Sequence, residues 1–547
     1  MSYKLFILFV ATFMITNAQQ KTGISHKKAK PKLIVGIVVD QMRYDYLTRF
    51  YNQYGEGGFK KLIKKGFSFN NHHFNYVPTT TAPGHASIYT GTTPRFHGII
   101  GNSWYDKVQK QKVYCVADID ISPIGTGSSD GKMSPSKLKV TTIADQNRLH
   151  TQMKGKSISI AIKERGAVLS GGHTANAAYW FRGKNQGSWI SSSYYMNKLP
   201  KWVIKFNESN IIDSYYEKWN TLQDINSYLE SGSDNTAFER GFKSKDEATF
   251  PYDLSILKEF NGLYDIIRQT PFGNSLTVDF ALEAIKKEKL GKDIFTDFLM
   301  ISFSSTDYIG HNFGVNSKEI EDTYIRLDKD LERLINHLDS FIGKKEYTLF
   351  LTSDHGANHV SDFLTSNKIP AGYFKEATVH LGLKHHIKTF YSKDSIIENI
   401  SNNQVFLNHT IIKNNSLNPE KIEKEIANYL LNTKGILEVY TRSQLERSNF
   451  QSGMGSKIKN GFHPERSGDV CYVLNPSLVA YSKTGSTHGS GYSYDTHVPL
   501  LFYGKGIKLG KTYKKTAVSD IAPTIATLLG IGFPSGTTGT TLKQVID

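Results

Sequence analysis

Apolar positions in this chain fall into two kinds of run. The short, continuous, β-branched ones are Leu33-Ile34-Val35-Gly36-Ile37-Val38-Val39, Ser157 to Ile162, Phe298 to Phe303, Tyr347 to Thr352 and Val498 to Gly504. Runs of that length and content predict strands buried on both faces of a sheet. The periodic kind is clearest over 317–342, where Ile320, Tyr324, Leu327, Leu331, Leu334, Leu338 and Ile342 recur at threes and fours and predict an amphipathic helix. Further helices are expected near Glu420 to Leu431 and Ser519 to Leu529. Strands alternating with helices predict an α/β fold, a three-layer sandwich around a mostly parallel central sheet. Two stretches, about 171–290 and about 360–480, carry weaker periodicity and read as inserted cap segments.

At the N-terminus the pattern changes function class. Lys4 precedes an apolar run from Leu5 to Ile15, and Thr16-Asn17-Ala18 ends in small residues. This predicts a cleaved signal peptide over 1–18, an exported protein in the periplasm or outside the cell, and one catalytic domain over 19–547. The run is too short to span a bilayer, and no other stretch has transmembrane length. A monomer is expected.

Composition narrows the partners. The 547 residues carry 66 Lys plus Arg against 50 Asp plus Glu, a formal charge of +16. Such a balance favours anionic partners. The lysines are scattered, with no basic block interleaved with aromatics, so no nucleic-acid partner is expected. Two cysteines, Cys115 and Cys471, do not make a disulfide framework, and sequence leaves open whether they pair.

Candidate chemistry lies at the predicted strand ends. Asp40 closes the first strand, Asp307 follows the third, and Asp354 follows the fourth. Acids at the carboxyl ends of such strands stand where open α/β sheets bind ligands. Asp307 and His311 are four apart, one helical turn; Asp354 and His355 are adjacent; His488 sits in a Gly/Ser-rich loop. Carboxylate and neutral imidazole together suit zinc. In Thr79-Thr80-Thr81-Ala82-Pro83-Gly84-His85, Pro83 fits the first turn of a helix. Thr81 is then either a helix cap or a nucleophile at an anion-attracting N-terminus.

Taken together, Asp40, Thr81-Ala82-Pro83-Gly84-His85, Asp307-x3-His311, Asp354-His355-Gly356 and His488 resemble the signature of the alkaline phosphatase superfamily. Within it the chain is similar to phosphate-irrepressible alkaline phosphatases and their nucleotide pyrophosphatase/phosphodiesterase relatives. The resemblance implies two Zn²⁺ per chain, one on Asp307, His311 and His488, the other on Asp40, Asp354 and His355 with Thr81 as a further ligand. It implies Thr81 as the nucleophile of a phosphothreonine mechanism acting on small phosphate monoesters. It also implies that Asn102, Lys163 and Arg165 bind the phosphoryl group. The extra cations favour a monoester dianion; a phosphodiesterase on the same scaffold is the competing expectation. His85 is expected to support the turn rather than bind metal.

Overall fold

A computed structural model describes residues 30–184 and 187–547, so the expected signal peptide lies outside the described residues. Ten strands form the central sheet. In chain order they are β1 (Leu33–Val39), β2 (Phe67–Phe69), β3 (Pro123–Ile124), β4 (Ser157–Ala161), β5 (Ala177–Arg182), β6 (Ser188–Ser192), β7 (Asp297–Phe303), β8 (Tyr347–Thr352), β9 (Leu500–Gly504) and β10 (Gly510–Thr512). Their spatial order is β10-β2-β9-β8-β1-β7-β4-β5-β6-β3. The five middle strands, β8 to β5, are parallel. Next to them β9 and β6 run antiparallel. β1, β7 and β8 are buried at every position, as their unbroken apolar sequence requires.

Helices cover both faces. One apolar layer packs α3 (Phe272–Lys287) and α5 (Lys318–Leu338) against Val35, Ile37, Leu299 and Leu349. The opposite layer packs α1 (Thr81–Thr90) and α6 (Ile521–Leu529) against Ile34, Val38 and Phe350. α2 (Glu164–Gly171), after β4, packs beside α1, and α4 (Ser305–Phe313), after β7, packs beside α5. Within 171–290 the chain lays β5, β6 and α3 onto the central body. Within 360–480 it builds a separate four-stranded sheet, ordered 397–401, 404–407, 470–474, 436–441, with its own apolar cluster. Cys115 and Cys471 are both buried and unpaired.

One glycine sets how closely α1 approaches the sheet. A Cβ on Gly84 would lie 2.3 Å from the carbonyl oxygen of Asp354. Only a residue without a side chain lets the helix pass there. Gly84→Ala is therefore expected to cost about 1–3 kcal/mol of stability by denaturant unfolding. Gly127→Ala, where nothing lies within 4 Å, is the matched control and is expected to be neutral.

Candidate active site

The parallel strands deliver the acids to one edge. Asp40 follows β1 directly, Asp307 lies in the first turn of α4, and Asp354 stands two residues past β8. All three are buried. His311, His488 and Asp307 place ligating atoms within 4.8 Å of one another, and so do Asp40, Asp307 and His355. Asp307 thus belongs to both groups. Asp354 joins the second through Oδ2, 3.6 Å from His355 Nε2, while Asp40 Oδ1 is 3.4 Å from that same nitrogen.

The imidazoles are held in one orientation. Nδ1 of His311 meets the carbonyl of Ser486 at 2.7 Å, Nδ1 of His355 that of Gly356 at 2.9 Å, and Nδ1 of His488 that of Thr79 at 2.8 Å. A carbonyl can only accept, so each ring carries a proton on Nδ1, and in His355 and His488 the Nε2 lone pair then faces inward; in His311, against the effect of burial, the Asp307 carboxylate 3.2 Å from Nε2 holds the ring above the ordinary histidine range. His355 and His488 stack at 3.5 Å, 11° from parallel. Burial pushes His355 down to about 3, and burial and then His355 hold His488 well below the ordinary histidine range. Both are the neutral form that metals bind.

Charge in the cluster is unbalanced. Burial, and after it the Asp40 carboxylate, holds Asp354 well above the usual carboxylate range. Asp40 Oδ1, Asp354 Oδ2 and His355 Nε2 have no hydrogen-bond partner. A dry site holding three carboxylates, inward lone pairs and orphaned acceptors fits divalent metal. The sole ammonium contact with these acids among the described residues is Lys163, whose Nζ lies 2.6 Å from Asp40 Oδ2 and bridges to Asp307 Oδ2.

Thr81 is the first residue of α1 and is buried. The capping position falls to Thr80, whose side chain makes no capping bond. His85 fixes the turn, with Nδ1 2.9 Å from Thr81 O and Nε2 2.9 Å from Ser302 Oγ. Asn102 Oδ1 accepts the Ala82 N–H at 2.8 Å, which aligns the amide beside the helix N-terminus and leaves its Nδ2 donors uncommitted to Ala82. Arg165 Nη1 donates to Tyr114 Oη at 3.2 Å, and Tyr114 donates to Glu164 in turn. Tyr114 and Glu164 thereby orient the guanidinium.

Sequence reasoning did not single out Gln41, Tyr114 or Tyr481. Gln41 has φ of 63°, an uncommon left-handed conformation for a residue with a side chain. That turn lets its N–H reach Asp354 Oδ1 (3.2 Å) and its Nε2 reach Asp307 Oδ1 (2.7 Å), tying two acids together. Tyr481 Oη lies 3.1 Å from His311 Nδ1. Their only sequence signal is adjacency to Asp40 for Gln41; the other two partners lie far off in the chain.

With this geometry in place, residues 34–498 match the sequence profile of the type I phosphodiesterase / nucleotide pyrophosphatase family. The chain belongs to that family. Among curated relatives it is 44% identical over 565 residues to alkaline phosphatase PhoV of Synechococcus elongatus, covering 100% of both chains. It is 43% identical to alkaline phosphatase PafA of Elizabethkingia meningoseptica, over 94% of this chain and 95% of that one. It is also 44% identical to a protein of Myroides odoratus named calcium-transporting ATPase, over 96% of each. Among the described residues no helix is long and apolar enough to cross a membrane. The crystal structure of wild-type PafA superposes with a TM-score of 0.91 at 42% identity, covering 95% of this chain and 99% of that chain.

Crowded carboxylates predict a stability response to metal. Stripping divalent metal with a chelator is expected to lower the thermal unfolding midpoint by several degrees, and adding it back is expected to restore it. An unchanged midpoint would show that the acids are neutralised some other way.

Proposed function

We propose that this chain is an exported, zinc-dependent alkaline phosphatase that hydrolyses phosphate monoesters through a phosphothreonine on Thr81. What supports the proposal is that α1, which begins at Thr81, has Asn102 on its Ala82 N–H and meets Asp354 at Gly84 and His85, while the Thr79 carbonyl holds His488. Full-length identity to alkaline phosphatases supports it. Export rests on the apolar run from Leu5 to Ile15 and the cleavage site Thr16-Asn17-Ala18 that follows it.

Two zinc ions are assigned, one to Asp307, His311 and His488, the other to Asp40, Asp354 and His355 with Thr81. When bound, they supply Lewis-acid activation of a weak hydroxyl nucleophile and stabilisation of the charge that develops at phosphorus. Thr81 Oγ forms a bond to phosphorus as the bond to the leaving alcohol breaks. The Asn102 amide and the Arg165 guanidinium donate to phosphoryl oxygens, and Arg165, held by Tyr114 and Glu164, offers a planar two-pronged fork. With a divalent ion on Asp40 and Asp307, the Lys163 ammonium that now bridges them would be free to pair with the phosphoryl group. Water then cleaves the phosphothreonine, returning the hydroxyl and freeing phosphate.

The family's name favours a second reading, a phosphodiesterase on the same scaffold. Lys163 and Arg165 weigh against it: a monoester carries one more negative charge and one more terminal oxygen than a diester, and extra cations reward that difference.

Three outcomes are expected. Thr81→Ala nearly abolishes turnover of an aryl phosphate; near-normal turnover would remove Thr81 as nucleophile. Lys163→Ala and Arg165→Ala each lower monoester kcat/KM by about 10²-fold. Both leave cleavage of the corresponding methyl diester far less affected, and equal losses on the two substrates would favour the diesterase. Zinc restores activity to chelated protein, and calcium alone does not.

A further inference from the structure

His488 lies in a loop, Gly485-Ser486-Thr487-His488-Gly489-Ser490-Gly491, whose three glycines leave the backbone many conformations to lose on folding. The loop borders a cavity of about 470 Å³, which Asn102 and, from the separate four-stranded sheet, Gln404 and Tyr472 line as well. Neither helix nor strand holds the imidazole there. A ligating side chain nonetheless has to stand within about 0.5 Å of its working position.

Hydrogen bonds from outside the loop hold it at three places. The Asn358 N–H donates to Thr487 O at 2.9 Å. Thr79 Oγ1 donates to Ser490 O at 2.8 Å. The densest set falls on Asp495, whose Oδ2 accepts the Gly489 N–H at 3.1 Å, the Ser490 N–H at 2.7 Å and Ser490 Oγ at 2.6 Å. Gly489 and Ser490 directly follow His488. Asp495 is only 1% exposed, so water does not compete for these bonds. Three donors on one oxygen suit a carboxylate, which only accepts.

Asp495 is itself pinned to the other group of ligands. It stands in the short helix Ser493–Thr496, and its main-chain carbonyl accepts the Gly356 N–H at 2.8 Å. Gly356 in turn holds the His355 ring through its own carbonyl. The two backbones run so close that a Cβ on Gly356 would lie 2.2 Å from Tyr494 O. One residue therefore joins the turn of Asp354 and His355 to the loop of His488. Its main chain grips the first and its side chain the second.

We propose that Asp495 is a positioning residue: its carboxylate sets the place of His488, and with it the affinity of the zinc ion assigned to Asp307, His311 and His488, without being a ligand itself. The proposal rests on the two-zinc reading above. The test dialyses the full-length holoenzyme against buffers of graded free zinc and counts bound zinc per chain. The wild type is expected to hold two ions. Asp495→Ala leaves three donors unanswered and is expected to weaken one ion by about 10–100-fold, while the other stays within about threefold of wild type. Asp495→Asn keeps an acceptor oxygen and is expected to recover most of that loss. Equal weakening of both ions in the Ala variant would mark a general loss of stability and overturn the proposal. Unchanged affinities in that variant, or an Asn variant as weak as the Ala variant, would overturn it too. Ser490→Ala removes one of the three bonds and is expected to weaken the same ion alone, by about threefold or more. No change there would also overturn the proposal, and this arm stands even where Asp495→Ala fails to fold. A wild-type chain that holds fewer than two zinc ions would instead remove the two-zinc reading itself.

Discussion

Three carboxylates buried together make up the constraint that the rest of this molecule answers. Asp40, Asp307 and Asp354 lie out of water, within reach of one another's neighbours, and like charges in a dry site repel strongly. The fold meets this in three ways. Gln41 and the backbone donate hydrogen bonds to the acids. Lys163 places an ammonium between two of them. Two imidazoles, those of His355 and His488, turn lone pairs, not protons, towards them. The first two relieve charge, whereas the third adds donor atoms and only makes sense for a site that binds a further cation. Proton-bearing Nε2 atoms would have served a purely structural cluster better.

Much of this was legible in the sequence, and the reason is physical. Strands buried on both faces must be continuously apolar, so an acid at the end of one stands out; Asp40 and Asp354 were visible for that reason. Thr81 was visible because Pro83 announces a helix start. What stayed hidden depends on side chains meeting across the fold. The partners of Lys163 lie 123 and 144 residues away, and nothing local to 163–166 shows that its ammonium bridges them. Gln41 takes a left-handed backbone conformation that its side-chain chemistry does not advertise. The sheet of residues 397–474 has half-buried strands, such as 397–401, whose mixed pattern carries little signal. β5 and β6 were likewise unmarked, because Tyr179, Trp180 and Phe181 pack by shape within a polar, turn-rich stretch.

The division of labour between the two sheets follows their different burial. Ligating side chains extend from the ends of fully buried strands or from loops strapped to them, as Thr79 straps the loop of His488. Groups that surround the space beyond Asn102 come from the smaller sheet, which meets the rest of the chain through Asn402 on Ser103, Phe406 on Tyr105 and Glu398 on Lys110. Chemistry and selection can then vary separately: a change in the smaller sheet alters what fits without moving a ligand.

The ligand set also has an order in time. Asp40 directly follows the first strand of the sheet and His488 lies in the loop before its ninth, so the cluster draws on nearly the whole length of the chain. A partly synthesised polypeptide holds the acids without their last imidazole. The cluster is therefore complete only in a finished and folded chain.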